Sequence, residues 1–149
     1  MEELQLTADF LFSLANPVAL LGWIILGIGV VWNKPLLRDV IAGRVFPLGL
    51  SVFYTILIVA FFFKAEGGFD TLANVQKLFT FPWAALAGWV HYLAFDLFIG
   101  ALIARDIMKL GISRVFLIVL LPLTFMFGPI GYVGFVIVRT ALAKKEIAA

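Results

Sequence analysis

The fold is decided by a long apolar segment in the second half of the chain, in which residues 88–100 read GWVHYLAFDLFIG. The stretch is apolar except for the imidazole of His91 and the carboxyl group of Asp96. The segment is long enough for a helix that crosses a bilayer, which takes roughly 20 apolar residues. An ionisable side chain in such a helix costs roughly 3 kcal/mol to insert, so it usually faces other helices and serves a function. Asp96 and His91 are therefore the first candidates for a functional site.

The rest of the chain has the same apolar character. Of its 149 residues, 64% are hydrophobic and 13% are charged, and the mean hydropathy is +1.12. About a quarter of the residues in a soluble domain are charged. We therefore predict an all-α, multi-pass integral membrane protein, in a bacterial inner membrane or a thylakoid-type membrane. Its single domain, residues 1–149, is expected to be one bundle of four transmembrane helices, at 10–32, 45–63, 83–103 and 115–138.

A short helix is predicted between the second and third spans. Apolar residues recur there at helical spacing, and Asp70 or Thr71 is available as an N-cap. We expect this helix to lie in the membrane interface, and a solvated loop is the alternative. The apolar positions are Leu72, Val75, Leu78 and Phe79.

Basic residues suggest an orientation. The loop after the first span holds Lys34, Arg38 and Arg44, whereas no Lys or Arg precedes that span. The positive-inside rule places this loop in the cytoplasm, and four spans would then leave both termini outside. Summed over the chain with four spans, the two sides carry six and five basic residues. The count therefore favours one orientation by a single residue.

Composition also excludes several kinds of site. The chain has no cysteine and one histidine, which excludes disulfides, thiolate zinc sites, a cysteine nucleophile and a polyhistidine metal site within one chain. We expect no metal and no cofactor. The net charge of +2 is spread over the loops, which predicts contact with membrane lipids and no nucleic-acid binding.

The third span is predicted to carry two faces of interest. Trp89, Tyr92, Asp96 and Gly100 form a stripe at spacings of three and four residues. His91 lies off this stripe, because five residues on a helix correspond to a rotation of about 140°. Asp96 and His91 are therefore expected to line one cavity from its two sides.

Other spans offer polar side chains to the same cavity, namely Asn16 in the first span and Thr124 and Tyr132 in the fourth. A structural interpretation is also open. Pro122 frees a carbonyl one turn earlier, and a protonated Asp96 hydrogen-bonded to it would be an interhelical contact without a catalytic role. Three glycines of the fourth span are expected to form a close-packing ridge: Gly128, Gly131 and Gly134.

The chain resembles the abscisic-acid-deficient, neoxanthin-synthase-like family of integral membrane proteins. Three segments carry the resemblance, in this order: LFSLANPVALLGW, FPWAALAGWVHYLAFDLFIG and LTFMFGPIGYVGF. It extends from about Leu11 to Arg139. The resemblance implies a four-helix membrane protein and a role like that of the plant members, which are needed to form neoxanthin, an allenic carotenoid, from the epoxide violaxanthin.

The implied reaction suits these residues. Opening an epoxide to an allene with a free hydroxyl group is an isomerisation that consumes neither water nor a redox cofactor. Asp96 would protonate the epoxide oxygen and His91 would accept a proton from carbon, or the two roles would be reversed. Trp89 and Tyr92 could stabilise a transient carbocation through their ring faces. Three further side chains are expected to bind the substrate: Asn16, Thr124 and Tyr132.

Three hypotheses follow, and the leading one is a membrane-embedded isomerase that acts on a carotenoid or related isoprenoid. The second is a non-catalytic carotenoid or lipid carrier, or an assembly protein. The third is a proton-conducting or small transport unit, which ranks last because one carboxylate in four spans offers too few polar steps for a relay. The expected partners are a hydrophobic isoprenoid or lipid ligand, membrane lipids, and a homo-oligomer or biosynthetic complex.

Overall fold

The computed structural model describes residues 2–147, which form six α-helices and no strand. The all-α prediction is confirmed. A π-helix, Leu36–Val45, runs directly into the second α-helix. Short 3-10 turns follow α2 at Phe62–Lys64 and precede α5 at Arg114–Phe116. The α-helices are α1 Glu2–Val31, α2 Phe46–Phe61, α3 Leu72–Phe79, α4 Pro82–Lys109, α5 Leu117–Phe127 and α6 Pro129–Ile147.

Within the described residues, three helical segments are long and apolar enough to cross a membrane: Gln5–Val31, Leu36–Lys64 and Pro82–Lys109. They correspond to the first three predicted spans. The second span begins earlier than expected, because the residues predicted as a loop after the first span include the π-helix. There the Phe46 N–H donates to the Ile41 carbonyl, five residues back.

The central helix is α4, and α1 and α2 pack along it. The first half of α1 contacts the first half of α4, and Leu26 and Val30 near the end of α1 belong to the core cluster around Ile103 and Ile107. Hence α1 and α4 run parallel. The end of α2 lies at the start of α4, where the Phe61 and Trp83 rings stack with centroids 4.0 Å apart, so α2 runs antiparallel to both.

The predicted fourth span is not a single helix. It divides into α5 and α6, which pack against each other as an antiparallel hairpin. A Cβ at Gly131 would overlap the backbone of Thr124, and a Cβ at Gly134 would lie 2.9 Å from the Leu120 side chain. In an unbroken helix, residues seven apart are about 10 Å apart along the axis. The chain therefore reverses direction between α5 and α6.

Two residues account for the reversal. Gly128 has φ +40°, a left-handed conformation that favours glycine. Pro129 has no N–H with which to continue the hydrogen bonds of α5. The sequence predicted a glycine ridge here, and the ridge packs closely as expected. It packs against the preceding half of the same predicted span.

The predicted helix between the second and third spans is present as α3. Thr71 is its N-cap, and the Thr71 hydroxyl accepts a hydrogen bond from the Asn74 N–H at 3.2 Å. Before α3, the chain turns at Gly67, where φ is +101°. An exposed ion pair between Glu66 and Lys77, 2.8 Å long, joins this turn to the helix. The hydrogen bond from Lys77 holds the pKa of Glu66 below its usual value.

Candidate functional site

The polar stripe of α4 faces α1 and the α5–α6 hairpin. Trp89 Nε1 donates to Asn16 Oδ1 at 2.8 Å. The Tyr92 hydroxyl donates to the Met126 carbonyl at 2.9 Å, near the end of α5. The rings of Trp89 and Tyr92 stack on each other, with centroids 5.5 Å apart. The stripe therefore forms a hydrogen-bonded seam that joins three parts of the bundle.

Asp96 lies on this seam at the turn of the hairpin. It is 5% exposed, and its carboxyl group lies against Gly128, so that any Cβ at that glycine would overlap it. Its Oδ2 atom has no hydrogen-bond partner among the described residues. The carbonyl freed by Pro122 is not bonded to Asp96, and instead Tyr92 binds the Met126 carbonyl. Asp96 is thus packed against the hairpin.

His91 faces the opposite side of α4. It is exposed, its ring stacks on Phe95 with centroids 4.6 Å apart, and the Tyr54 ring of α2 lies 5.3 Å away. The expectation that His91 and Asp96 line one cavity is therefore wrong. The rotation of about 140° between them turns one residue toward α2 and the other toward the hairpin.

The remaining candidate residues are divided between the seam that contains Asp96 and other parts of the bundle. Thr124 is fully buried, and its hydroxyl donates to the Leu120 carbonyl within α5 at 2.7 Å. Tyr132 is 46% exposed on the outer side of α6. Asn16 and Trp89 are bonded to each other. The structure therefore does not bring the predicted substrate-binding residues together around one space.

A cavity of about 270 Å³ lies instead between α2, α3 and α4. We name it the aromatic pocket. Small-molecule sites are typically concave and apolar, with a few polar groups that fix orientation. Its aromatic lining consists of Tyr54, Phe61, Phe62, Phe69, Phe79 and Trp83, and His91 lies at its edge on α4.

Few polar groups line this pocket. Trp83 is 5% exposed, and its Nε1 has no hydrogen-bond partner among the described residues. His91 and Tyr54 supply an imidazole and a phenol. Flat aromatic walls with a small number of hydrogen-bonding groups suit an apolar ring that carries one or two oxygen atoms.

Sequence reasoning missed two residues of this pocket. Neither Trp83 nor Tyr54 is among the site residues predicted from the sequence. The helical spacing of the pocket residues along α2 and α4 was nevertheless visible in the sequence. Residues 84, 87, 88 and 91 share one face of α4, and residues 54, 58 and 61 share one face of α2. The contact between these two faces could not be read from either helix alone.

Comparison with known proteins supports the family resemblance. Neither the curated proteins nor the solved structures give a match to the chain. The family model described as ABA DEFICIENT 4-like matches residues 10–135. This range includes α2, α3 and α4 and the hairpin turn, together with most of α1. The chain therefore belongs to the ABA DEFICIENT 4-like family.

Proposed function

We propose that the protein acts on a carotenoid or a related isoprenoid within the membrane and that the aromatic pocket holds one ring of this ligand. The observation that carries the proposal is the aromatic pocket itself, with about 270 Å³ of space and few polar groups. Membership of the ABA DEFICIENT 4-like family supports a ligand of the carotenoid class. Position supports it too, because two of the three walls belong to segments long and apolar enough to cross a membrane.

We further propose an isomerase-like activity with His91 as its base and Tyr54 as its acid. The Tyr54 hydroxyl would give a proton to the epoxide oxygen as the carbon–oxygen bond breaks. His91 would remove a proton from carbon, and that electron pair would form the new double bond. Proton return from His91 to Tyr54 balances the reaction without a cofactor. Their rings lie 5.3 Å apart at the pocket.

In this proposal Asp96 has no part in the chemistry. It lies against Gly128 on the other side of α4 from the pocket, so it is assigned to holding the hairpin. Trp89, Asn16, Tyr92 and Thr124 are likewise assigned to contacts within and between helices. Asp96 thus has a structural role at the hairpin turn, without the predicted bond to the carbonyl freed by Pro122, and the catalytic proposal concerns the face of α4 that carries His91.

A second candidate function is a carotenoid or lipid carrier without catalytic activity. The separation of His91 from Asp96 favours it, because the acid–base pair expected from the sequence is not assembled. The two candidates predict the same pocket and the same ligand class. They differ in what happens when the polar groups of the pocket are removed.

The experiment is expression in carotenoid-producing cells, followed by chromatography of the cell pigments and of the pigments bound to the purified protein. His91→Phe and Tyr54→Phe preserve the aromatic walls and remove the acid–base groups. An isomerase requires that both variants bind pigment and form no product, while Asp96→Asn stays active. Bound pigment without any product beyond that of cells lacking the protein would leave the carrier function, and unchanged product in His91→Phe would contradict the role of His91 as the base. A wild-type protein that contains no isoprenoid would contradict both candidates.

We also propose a multi-pass topology of three crossings, with α3 in the interface and the α5–α6 hairpin entering and leaving on one side. Such a hairpin would return the end of α6 to the side of the π-helix. The positive-inside rule supports this arrangement, because only Lys64 and Lys77 would then lie on the other side. In the part of the chain whose side chains are described, seven basic residues would lie on the cytoplasmic side: Lys34, Arg38, Arg44, Arg105, Lys109, Arg114 and Arg139.

A further inference from the structure

We propose that a basic crevice at the opposite end of α4 binds the phosphate-bearing head group of an anionic membrane lipid. The crevice has a volume of about 480 Å³ and lies where α1 and α4 end and the π-helix begins. It is separate from the aromatic pocket and does not depend on the function proposed for it. Its lining includes Asn33, Arg38, Met108, Lys109, Ser113 and Arg114.

Charge is the first argument for an anion. Three basic side chains line the crevice, and no acidic side chain among the described residues does so. Arg38 is paired with Asp39, with both hydrogen bonds at 2.7 Å. Lys109 and Arg114 form no ion pair within the described part of the chain. Two positive charges at the crevice are therefore free to meet an anion.

The crevice also has a wall in which Arg38 is held in place by its neighbours. Arg38 is 5% exposed, and its guanidinium group is held between Asp39 and the Met108 sulfur. The π-helix fits against α1 at Gly29, where a Cβ would lie 2.7 Å from the Arg38 nitrogen. π-Helices are rare, and they occur frequently at functional sites. The side of the crevice that carries Arg38 is therefore formed by the π-helix, which packs closely against Gly29 of α1.

Position favours a lipid over a soluble phosphate. The buried apolar residues Val30 and Ile107 belong to the core near this end of the bundle, and the basic residues follow them in the chain. Met108 and Ile112 add apolar surface to the crevice itself. An anionic head group at the membrane surface would meet the basic side chains, and its glycerol and upper acyl chains would meet the apolar wall. Basic pockets between helices on the cytoplasmic side bind such head groups.

The test measures how much phosphatidylglycerol stays with the purified protein after reconstitution in nanodiscs that contain phosphatidylcholine and phosphatidylglycerol. The crevice variant is Lys109→Gln with Arg114→Gln. The matched control is Lys34→Gln with Arg44→Gln, which removes two charges from the same side without altering the crevice lining. Arg114 Nη1 also donates to the Val30 carbonyl, so replacing Arg114 could disturb the fold as well as the charge. The single variant Lys109→Gln is therefore included, because Lys109 is exposed and its replacement should not affect folding.

We expect enrichment of phosphatidylglycerol to fall roughly fivefold in Lys109→Gln and roughly 25-fold in the crevice double variant, since each basic side chain in contact with an anionic head group contributes about a factor of five. The control should stay within about twofold, because exposed charges outside a pocket are screened. A separate arm adds about 10 mM inorganic phosphate as competitor. Equal losses in the control, or full displacement of the lipid by phosphate, would overturn the proposal. No enrichment in the wild type would overturn it as well.

Discussion

The carboxyl group of Asp96 lies directly against the backbone of Gly128, the residue at which the chain reverses between α5 and α6. A side chain at position 128 would have to displace that carboxyl group. It would also have to adopt a φ of +40°, which is unfavourable for residues other than glycine. The buried acid and the hairpin turn are therefore fitted to each other.

Replacing Gly128 should destabilise the protein. Gly128→Ala combines an unfavourable backbone conformation, roughly 1 to 2 kcal/mol, with the overlap on Asp96, and we expect a lower unfolding midpoint in detergent. The matched control is Gly27→Ala in α1, because no atom lies within 4 Å of a Cβ there. That control should be neutral or slightly stabilising, since alanine favours helix more than glycine does. Equal unfolding midpoints for the two variants would contradict the close packing of Asp96 against Gly128.

The bond between Asn16 and Trp89 should stabilise the contact of α1 with α4. Asn16→Ala and Trp89→Phe are each expected to lower stability, and the double variant should lose less than the sum of the two. A coupling of roughly 1 kcal/mol is typical for an interhelical hydrogen bond in a membrane. Unfolding of the four proteins of this cycle in mixed micelles measures it. Strictly additive losses would mean that the two side chains act separately.

The proposed topology makes the two ends of the chain distinguishable. With three crossings and a returning hairpin, the end of α6 would lie in the cytoplasm and the start of α1 on the opposite side. Reporter fusions after residue 149 should then be fluorescent as green fluorescent protein and inactive as alkaline phosphatase. A fusion in the turn before α3, near Gly68, should give the reverse result. Four crossings would instead make the fusion after residue 149 behave like the one near Gly68.

The unpaired N–H of Trp83 should discriminate between ligands. Trp83→Phe keeps an aromatic ring that can stack on Phe61 and removes a donor that has no partner among the described residues. If this donor meets an oxygen atom of the ligand, the variant should bind hydroxylated or epoxidised carotenoids roughly threefold to tenfold more weakly. Binding of the corresponding hydrocarbon carotene should not change. Equal losses for both ligands would mean that Trp83 contributes packing alone.

Much of the bundle was predictable from local sequence. Length and hydropathy located the helices of the first three spans, and the spacing of Trp89, Tyr92 and Asp96 identified a polar stripe that the structure contains. The hairpin was harder to foresee, because Gly128 and Pro129 are equally compatible with a kink and with a full reversal. Whether the helix kinks or the chain reverses depends on contacts between residues that are seven and fourteen positions apart in the sequence, such as Gly131 with Thr124.

The candidate site was less predictable than the bundle. Asp96 and His91 were predicted to act as a pair because ionisable residues are rare in an apolar helix. The rotation between them along the helix instead directs the two side chains to different sides of α4. The aromatic pocket depends on how the faces of α2 and α4 meet and on α3, which closes it with Leu78 and Phe79. Aromatic residues are so common in this chain that none of them stood out until neighbouring helices were placed.

The most direct test of the central claim is to fill the aromatic pocket. Ala84 lines it, whereas Ala85, the next residue of α4, lies on the side that faces α1. The two variants Ala84→Phe and Ala85→Phe, purified from carotenoid-producing cells, differ only in which side of α4 receives the added ring. We predict that Ala84→Phe loses its bound carotenoid or related isoprenoid and that Ala85→Phe keeps it. Undiminished pigment in a correctly folded Ala84→Phe protein would contradict the account.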